Sequence, residues 1–136
     1  MPPVLSHELF STLPPVWPED VLPSVGIELA GLKSKLVVLD DDPTGTQTVR
    51  DITVITRWDV ATLRREFEEP GPGFFILTNS RSIEEAATVE LHREIGRNLR
   101  AASAAAGVEF TLVSRSDSTL RGHFPLETDV LGEVCG

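Results

Sequence analysis

The chain has 136 residues, 40% of them hydrophobic, and this length and composition allow one modest core. The 21 acidic and 12 basic residues give a net charge of −9, which excludes a basic stripe for phosphates, so we expect no nucleic-acid partner. The single cysteine, Cys135, excludes an internal disulfide, and no apolar run or signal peptide indicates a membrane partner, so we expect a cytoplasmic protein.

Residues 1–23 are rich in proline and aperiodic. The pair Pro14-Pro15 interrupts any long element, although a short helix is predicted from about Pro23 to Leu32. We interpret residues 1–34 as an N-terminal arm and residues 35–136 as part of an α/β domain.

Four apolar runs predict strands, which alternate with helix signals in the rest of the chain. The runs are Leu36–Leu39, Ile52–Thr56, Phe74–Thr78 and Val108–Val113. Such short continuous runs are typical of strands buried on both faces. The alternation predicts an α/β fold with a mostly parallel sheet flanked by helices, a Rossmann-like three-layer arrangement.

The helix signals are cap residues followed by an apolar period. Asp59 is predicted to cap a helix that ends near Glu69. Ser82 and Glu85 have the spacing of a capping box and predict a helix to about Ala106, which Gly107 ends. A last helix is predicted to open at Pro125, with Glu127 in its first turn.

Three of the strands run directly into polar loops. We expect the first strand to end before Asp40, because three consecutive carboxylates and Pro43 cannot continue a central strand. Right-handed crossovers place the loops that follow parallel strands at one edge of the sheet. Ligands bind at this edge in open α/β sheets. The polar residues of the three loops, expected to meet there, are Asp40, Asp41, Asp42, Thr44, Asn79, Ser80, Arg81, Ser82, Arg115, Ser116, Asp117, Ser118, Thr119, Arg121 and His123.

This mixture of carboxylates, guanidinium groups and hydroxyls suits a small polyhydroxylated acid. An arginine would hold the carboxylate of the acid, Ser and Thr would contact its hydroxyls, and an aspartate would take a proton from the reacting hydroxyl. In the alternative interpretation, Arg81, Arg115 and Arg121 only form structural ion pairs with the acidic loops. His123 is equally explained as an ordinary loop residue.

Three motifs resemble the four-carbon acid sugar kinase family, in the same order and spacing. They are Asp41-Asp42-Pro-Thr-Gly45, Thr78-Asn-Ser-Arg-Ser82 and Ser114-Arg-Ser-Asp-Ser-Thr-Leu-Arg-Gly-His-Phe-Pro125. The resemblance covers the chain from about Leu36 onward. It implies an N-terminal α/β domain that binds threonate, erythronate or 3-oxo-tetronate, and a C-terminal domain that binds ATP with Mg²⁺. The enzyme would phosphorylate the terminal hydroxyl of the acid.

The resemblance also implies roles for individual residues. Asp42 would be the base or the residue that orients the hydroxyl, with Asp41 as the next candidate, and Arg81 would bind the carboxylate of the acid. Asp40, Pro43 and Gln47 differ from the usual family pattern, which affects the choice of substrate. No metal ligand is expected in this chain. The remaining substrate-binding candidates are Thr44, Gly45, Ser80, Ser82, Arg115, Ser116, Asp117, Ser118, Thr119, Arg121 and Gly122.

The ATP-binding part of such a kinase has no counterpart in these residues. The sequence has no glycine-rich phosphate loop, and no lysine follows Lys35. We therefore expect a partial sugar-acid-binding domain that is inactive by itself and whose uncovered apolar surface favours self-association.

Two other functions are compatible with the sequence. The spacing of Asp40, Asp42 and Thr44 after an apolar strand is similar to the first motif of haloacid-dehalogenase-like phosphatases, and Phe75–Asn79 is similar to the second. Asp40 would then be the nucleophile, Asp42 the acid/base, and Mg²⁺ would bridge the carboxylates and the phosphate. The other candidate is a non-catalytic module that binds a sugar acid.

Overall fold

The computed structural model describes residues 3–47, 49–117 and 121–136. The chain divides by its internal contacts into two compact units, Met1–Gly31 and Leu32–Gly136. No helix in these described ranges is long and apolar enough to cross a lipid bilayer.

The first unit contains two helices, α1 (Ser6–Ser11) and α2 (Leu22–Gly31). Helix α2 confirms the helix predicted from about Pro23 to Leu32. Neither helix buries a residue, and Trp17 between them is 70% exposed.

The second unit alternates strands and helices, as predicted. Its strands are β1 (Ser34–Asp40), β2 (Thr53–Ile55), β3 (Gly73–Leu77) and β4 (Glu109–Arg115). Its α-helices are α3 (Val60–Glu68), α4 (Glu85–Ala106) and α5 (Leu126–Cys135). A 3₁₀ turn, Ser80–Ser82, follows β3.

The four strands form a parallel sheet in the order β2-β3-β1-β4. Helices α3, α4 and α5 pack against a continuous apolar surface of this sheet. The prediction of an α/β fold with a parallel sheet flanked by helices is therefore confirmed. The buried residues of this core are Val37, Leu39, Ile55, Leu63, Phe67, Phe74, Ile76, Ile95, Leu99, Ala102 and Leu131.

The register of the sheet aligns the ends of three strands. Asp40, the last residue of β1, lies beside Leu77 at the end of β3 and Arg115 at the end of β4. The prediction that β1 ends before Asp40 was wrong by one residue, because the Asp40 carbonyl accepts a hydrogen bond from the N–H of Thr78 at 2.9 Å. The backbone of Asp40 is thus held between two neighbouring strands, although its side chain is charged.

Two of the predicted helix ends are confirmed. The side chain of Asp59 accepts a hydrogen bond from the N–H of Thr62 at 3.0 Å and so caps α3. Gly107, with φ of 66°, ends α4 in the left-handed region that glycine adopts without strain.

The predicted capping box at Ser82 and Glu85 was wrong. Helix α4 begins at Glu85, its N-cap residue is Glu84, and no side chain caps it. Ser82 belongs instead to the 3₁₀ turn, where its hydroxyl donates to the carbonyl of Asn79 at 2.8 Å. A serine that bonds its own turn cannot also satisfy the first N–H groups of the next helix.

Candidate functional site

The loops after β1, β3 and β4 meet at one edge of the sheet, as the parallel topology predicts. They surround a cavity of about 450 Å³ at the carboxyl ends of the strands. The residues that line this cavity are Asp42, Thr44, Arg81, Arg115, Ser116, Asp117 and Arg121. All seven were among the candidates that the sequence indicated.

Arg81 is the central cation of the site. Its Nε and Nη2 donate to the two carboxylate oxygens of Asp41 at 3.0 and 2.8 Å, a bidentate pair. Its Nη1 also pairs with Asp42, and Nη2 lies 3.8 Å from a carboxylate oxygen of Asp117. The hydrogen bonds that Arg81 donates to Asp41 raise the pKa of Arg81. The guanidinium therefore remains charged and is held by three carboxylates.

Asp41 forms the floor of the site. Its side chain is fully buried, and besides the two bonds from Arg81 it accepts the backbone N–H of Asp117 at 3.0 Å. This carboxylate joins the loop after β1 to the loops after β3 and β4. It therefore positions Arg81 and does not line the cavity.

Asp42 is the carboxylate of the first loop that faces the cavity. One of its oxygens accepts the backbone N–H of Thr44 at 2.8 Å and also the hydroxyl of Thr44. The side-chain hydrogen bond from Thr44, together with the backbone one, lowers the pKa of Asp42. Asp42 is consequently ionised at neutral pH and accepts hydrogen bonds.

Asp40 lies beneath the first loop and is only 1% exposed. One oxygen pairs with Nη1 of Arg115 at 3.2 Å, and the other has no hydrogen-bond partner among the residues that the structure describes. Burial raises the pKa of Asp40, and the charge of Arg115 partly opposes this effect. A Cβ at Gly45 would collide with the same carboxylate, so the loop folds over Asp40 only because residue 45 is glycine.

The two arginines on the other side of the cavity are more exposed than Arg81. The side chain of Arg115 is 48% exposed and pairs with Asp40, whereas that of Arg121 is 71% exposed and pairs with Asp117 at 2.6 Å. The ion pairs considered in the sequence interpretation are thus present for all three arginines. They leave Arg115 and Arg121 accessible from the cavity.

Several predicted residues lie outside the cavity wall. Ser80 is fully buried beneath the 3₁₀ turn, and Ser82 is exposed and bonds to its own turn. Gly122 packs so closely on the Asp117 carbonyl that a Cβ there would collide with it. His123 lies near the carbonyl of Ile83, with Nε2 3.0 Å from the oxygen. The predictions for Ser118 and Thr119 fall outside the described residues.

The three consecutive carboxylates of Asp40, Asp41 and Asp42 each offer an oxygen within 4.8 Å of the others. Such oxygens are the ligands that Mg²⁺ and Ca²⁺ prefer. Here, however, Arg81 contacts Asp41 and Asp42, and Arg115 contacts Asp40. Because a guanidinium group already occupies an oxygen of each carboxylate, the donor set does not fit a resident divalent cation.

The sequence interpretation did not indicate a role at this site for Thr78, His92 or Glu127. The hydroxyl of Thr78 donates to the Asp40 carbonyl at 3.0 Å, and the buried side chain of Glu127 contacts both Ser80 and His92. A possible signal was the i, i+4 pair Thr88 and His92, since two polar residues interrupt the buried face of α4.

The fold and this charged cavity define an α/β domain with a polar cavity at the carboxyl ends of its strands, the edge at which open α/β sheets bind ligands. A family model described as the sugar-binding N-terminal domain matches residues 36–136. The chain therefore belongs to this family, the N-terminal domain of the four-carbon acid sugar kinases. Comparisons with curated proteins and with solved structures gave no match.

Proposed function

We propose that the chain is the substrate-binding portion of an ATP-dependent kinase that phosphorylates the terminal hydroxyl of a four-carbon sugar acid. The observation that carries this proposal is family membership over residues 36–136, combined with a cavity that presents both guanidinium and carboxylate groups. The carboxylate of a sugar acid can pair with a guanidinium group, and its hydroxyls can donate to a carboxylate.

Arg115 is the best candidate to hold the carboxylate of the acid. Arg81, which the family resemblance suggested, already contacts three carboxylates of its own chain. Arg115 lines the cavity, is half exposed, and has one described hydrogen bond, to Asp40. Its other N–H groups can therefore bind a ligand carboxylate without first breaking an internal ion pair.

Asp42 is the best candidate to contact the reacting hydroxyl. Its lowered pKa makes it a weak general base but a good acceptor, so it would orient the hydroxyl more than deprotonate it. Phosphoryl transfer depends mainly on positioning and charge neutralisation, which fits this role. In this proposal, ATP and its Mg²⁺ are bound mainly by the C-terminal domain of the family.

The geometry does not favour the phosphatase alternative. That reaction needs Asp40 as an accessible nucleophile, whereas Asp40 is 1% exposed, lies beneath Gly45 and pairs with Arg115. A non-catalytic role in sugar binding is the remaining alternative for this chain by itself, because family membership supports binding without requiring transfer.

The proposal is tested by thermal-shift and calorimetric screens of D-threonate, L-threonate, D-erythronate and 3-oxo-tetronate. A ligand at about 100 times its Kd should stabilise the protein by about 2.7 kcal/mol. We expect one acid to bind, and Arg115→Ala to weaken its binding by at least about tenfold, the effect of losing a charge-assisted hydrogen bond.

Arg64→Ala is the matched control, because Arg64 is also half exposed and paired with a carboxylate, that of Glu68, but lies on α3 away from the cavity. Its affinity for the acid should equal that of the wild type. Failure of every acid to bind the folded protein would contradict the proposal. Phosphate transfer from ATP, measured after a family C-terminal domain is added, would separate the kinase from a binding module.

A further inference from the structure

Beneath the 3₁₀ turn lies a buried polar cluster that does not reach the cavity. It consists of Ser80, Glu127 and His92, each at most 1% exposed. The hydroxyl of Ser80 donates to Oε1 of Glu127 at 2.6 Å, and Nε2 of His92 lies 3.5 Å from the same oxygen. Because Glu127 belongs to α5 and His92 to α4, the cluster joins the turn to both helices.

His92 is oriented by a second contact. Its Nδ1 is 2.8 Å from the carbonyl oxygen of Thr88, which can only accept, so Nδ1 carries a proton. This hydrogen bond holds the imidazole ring so that Nε2 faces Oε1 of Glu127.

The contacts with Ser80 and His92 are important because Glu127 is otherwise poorly compensated. Its Oε2 is buried and has no hydrogen-bond partner within the described part of the chain. Burying a carboxyl group without compensating partners is strongly unfavourable. His92 and Ser80 are the groups that make the buried position of Glu127 tolerable.

The same cluster reaches the backbone that carries Arg81. Ser80 is the first residue of the turn, and Arg81 follows it directly. The preceding residue, Asn79, has φ of 54°, a left-handed conformation that a non-glycine residue adopts only when its surroundings hold it. Above Ser80, Thr78 lies 3.1 Å away and donates to the Asp40 carbonyl, so the cluster also touches the first loop.

We propose that Glu127 is a positioning residue for the cavity. By accepting the Ser80 hydroxyl it fixes the turn that presents Arg81 to Asp41, while the contact with His92 keeps its carboxyl group in place. The inference rests on the proposed function only for the identity of the ligand. The position of Arg81 can be measured in the protein without any ligand.

The test follows the Arg81 Nε–H signal in heteronuclear NMR spectra of the full chain. Ser80→Ala should shift this signal and accelerate its exchange with water by about tenfold, the effect of losing a hydrogen bond to a charged acceptor. Glu127→Gln keeps an acceptor without its charge, so it should give a shift in the same direction and a smaller acceleration.

Ser103→Ala is the matched control. The Ser103 hydroxyl also donates a short bond within the same unit, to the carbonyl of Val108 at 2.6 Å, but it lies at the opposite end of α4. This variant should leave the Arg81 signal unchanged. If Ser80→Ala lowers the stability but leaves the signal unchanged, the role of Ser80 is merely structural and the proposal is overturned. If Ser80→Ala does not fold, Glu127→Gln decides, and an unchanged signal in that variant likewise overturns it.

Titration with D-threonate and the other three acids then separates this inference from the proposed function. If no acid binds but Ser80→Ala still shifts the Arg81 Nε–H signal, the positioning role of Glu127 stands and the proposed ligand is wrong. If an acid binds the wild type and Ser80→Ala equally well and the Arg81 signal is the same in both, the proposed ligand stands and the positioning role is overturned.

Discussion

Polar side chains on the two sides of the 3₁₀ turn are stabilised by different kinds of contact. On the cavity side, Arg81 is surrounded by charged groups, and the formal charges of Asp41 and Asp42 are balanced by guanidinium groups. On the buried side, Glu127 accepts the hydroxyl of Ser80 and contacts His92. Arginine–carboxylate pairs therefore surround the cavity, whereas a serine and a histidine hold the buried carboxyl group.

This difference indicates which side can respond to a ligand. The more exposed arginines of the cavity side, Arg115 and Arg121, can contact a further carboxylate at a small cost, because they are partly solvated. The buried side has no such freedom, since any lost contact leaves a polar group without water. The cavity side of the turn is thus more adaptable than the buried side, and substitutions can perturb each side separately.

The largest effect is expected from Asp41→Ala, which removes the buried carboxylate that holds Arg81. The change leaves Arg81 without its bidentate partner and the N–H of Asp117 without its acceptor. We expect a loss of about 3 kcal/mol in the free energy of unfolding, as for other broken buried pairs. Urea denaturation followed by circular dichroism measures this quantity.

Asp42→Ala serves as the comparison for Asp41→Ala, because Asp42 contacts the same guanidinium from the cavity side. Its effect on stability should be clearly smaller. Equal losses in the two variants would contradict the distinction between floor and cavity wall.

A smaller effect is expected from Gly45→Ala, which adds a methyl group above the carboxylate of Asp40. The added Cβ collides with that side chain, so the loop must move, at a cost of about 2 kcal/mol. Gly132→Ala is the matched control, because nothing lies within 4 Å of a Cβ at this position of α5. Alanine is the better helix former, so the control should gain up to about 1 kcal/mol. A neutral Gly45→Ala in thermal unfolding would show that the loop is not closed over Asp40.

The smallest effect is expected from pH, and it has opposite signs for two neighbouring carboxyl groups. The pKa of Asp42 is lowered, so its contribution to stability is present above the ordinary value of about 4 and disappears as the pH falls through the lowered value. The pKa of Asp40 is raised, so its contribution favours folding in acid and disappears as the pH rises from about 4 through the raised value.

Unfolding experiments at several pH values on the wild type, Asp40→Asn and Asp42→Asn check these signs. The stability lost in Asp42→Asn should be largest near neutral pH and smallest in acid. The wild type should become less stable between acid and neutral pH because of Asp40, and this decrease should be absent in Asp40→Asn. The same pH dependence in both variants would refute the assignment.

Much of this architecture was predictable, since it depends on patterns along the chain. The apolar runs located the strands, and a parallel sheet necessarily brings the loops after β1, β3 and β4 to one edge. Every described residue that lines the cavity was therefore among the candidates. The family resemblance named the same loops, and the family match to residues 36–136 confirms the resemblance.

The pairing of the side chains was not predictable. The sequence gives no indication that Arg81 contacts Asp41 on both oxygens, because 40 residues separate them and only the register of the sheet brings them together. Glu127 is still further from Ser80 along the chain and was assigned only a place in a first helical turn. The capping box failed for a related reason, since Ser82 has a local alternative that the spacing does not reveal.

The carbonyl of Asp40 accepts hydrogen bonds from both the N–H and the hydroxyl of Thr78. Through Thr78 and Ser80, this single oxygen links the first loop to the helices beneath it. The consequence concerns the entropy of ligand binding. Because the floor of the cavity is already ordered, a ligand has to immobilise little more than the exposed side chains of Arg115 and Arg121, and most of its interaction energy remains available as affinity.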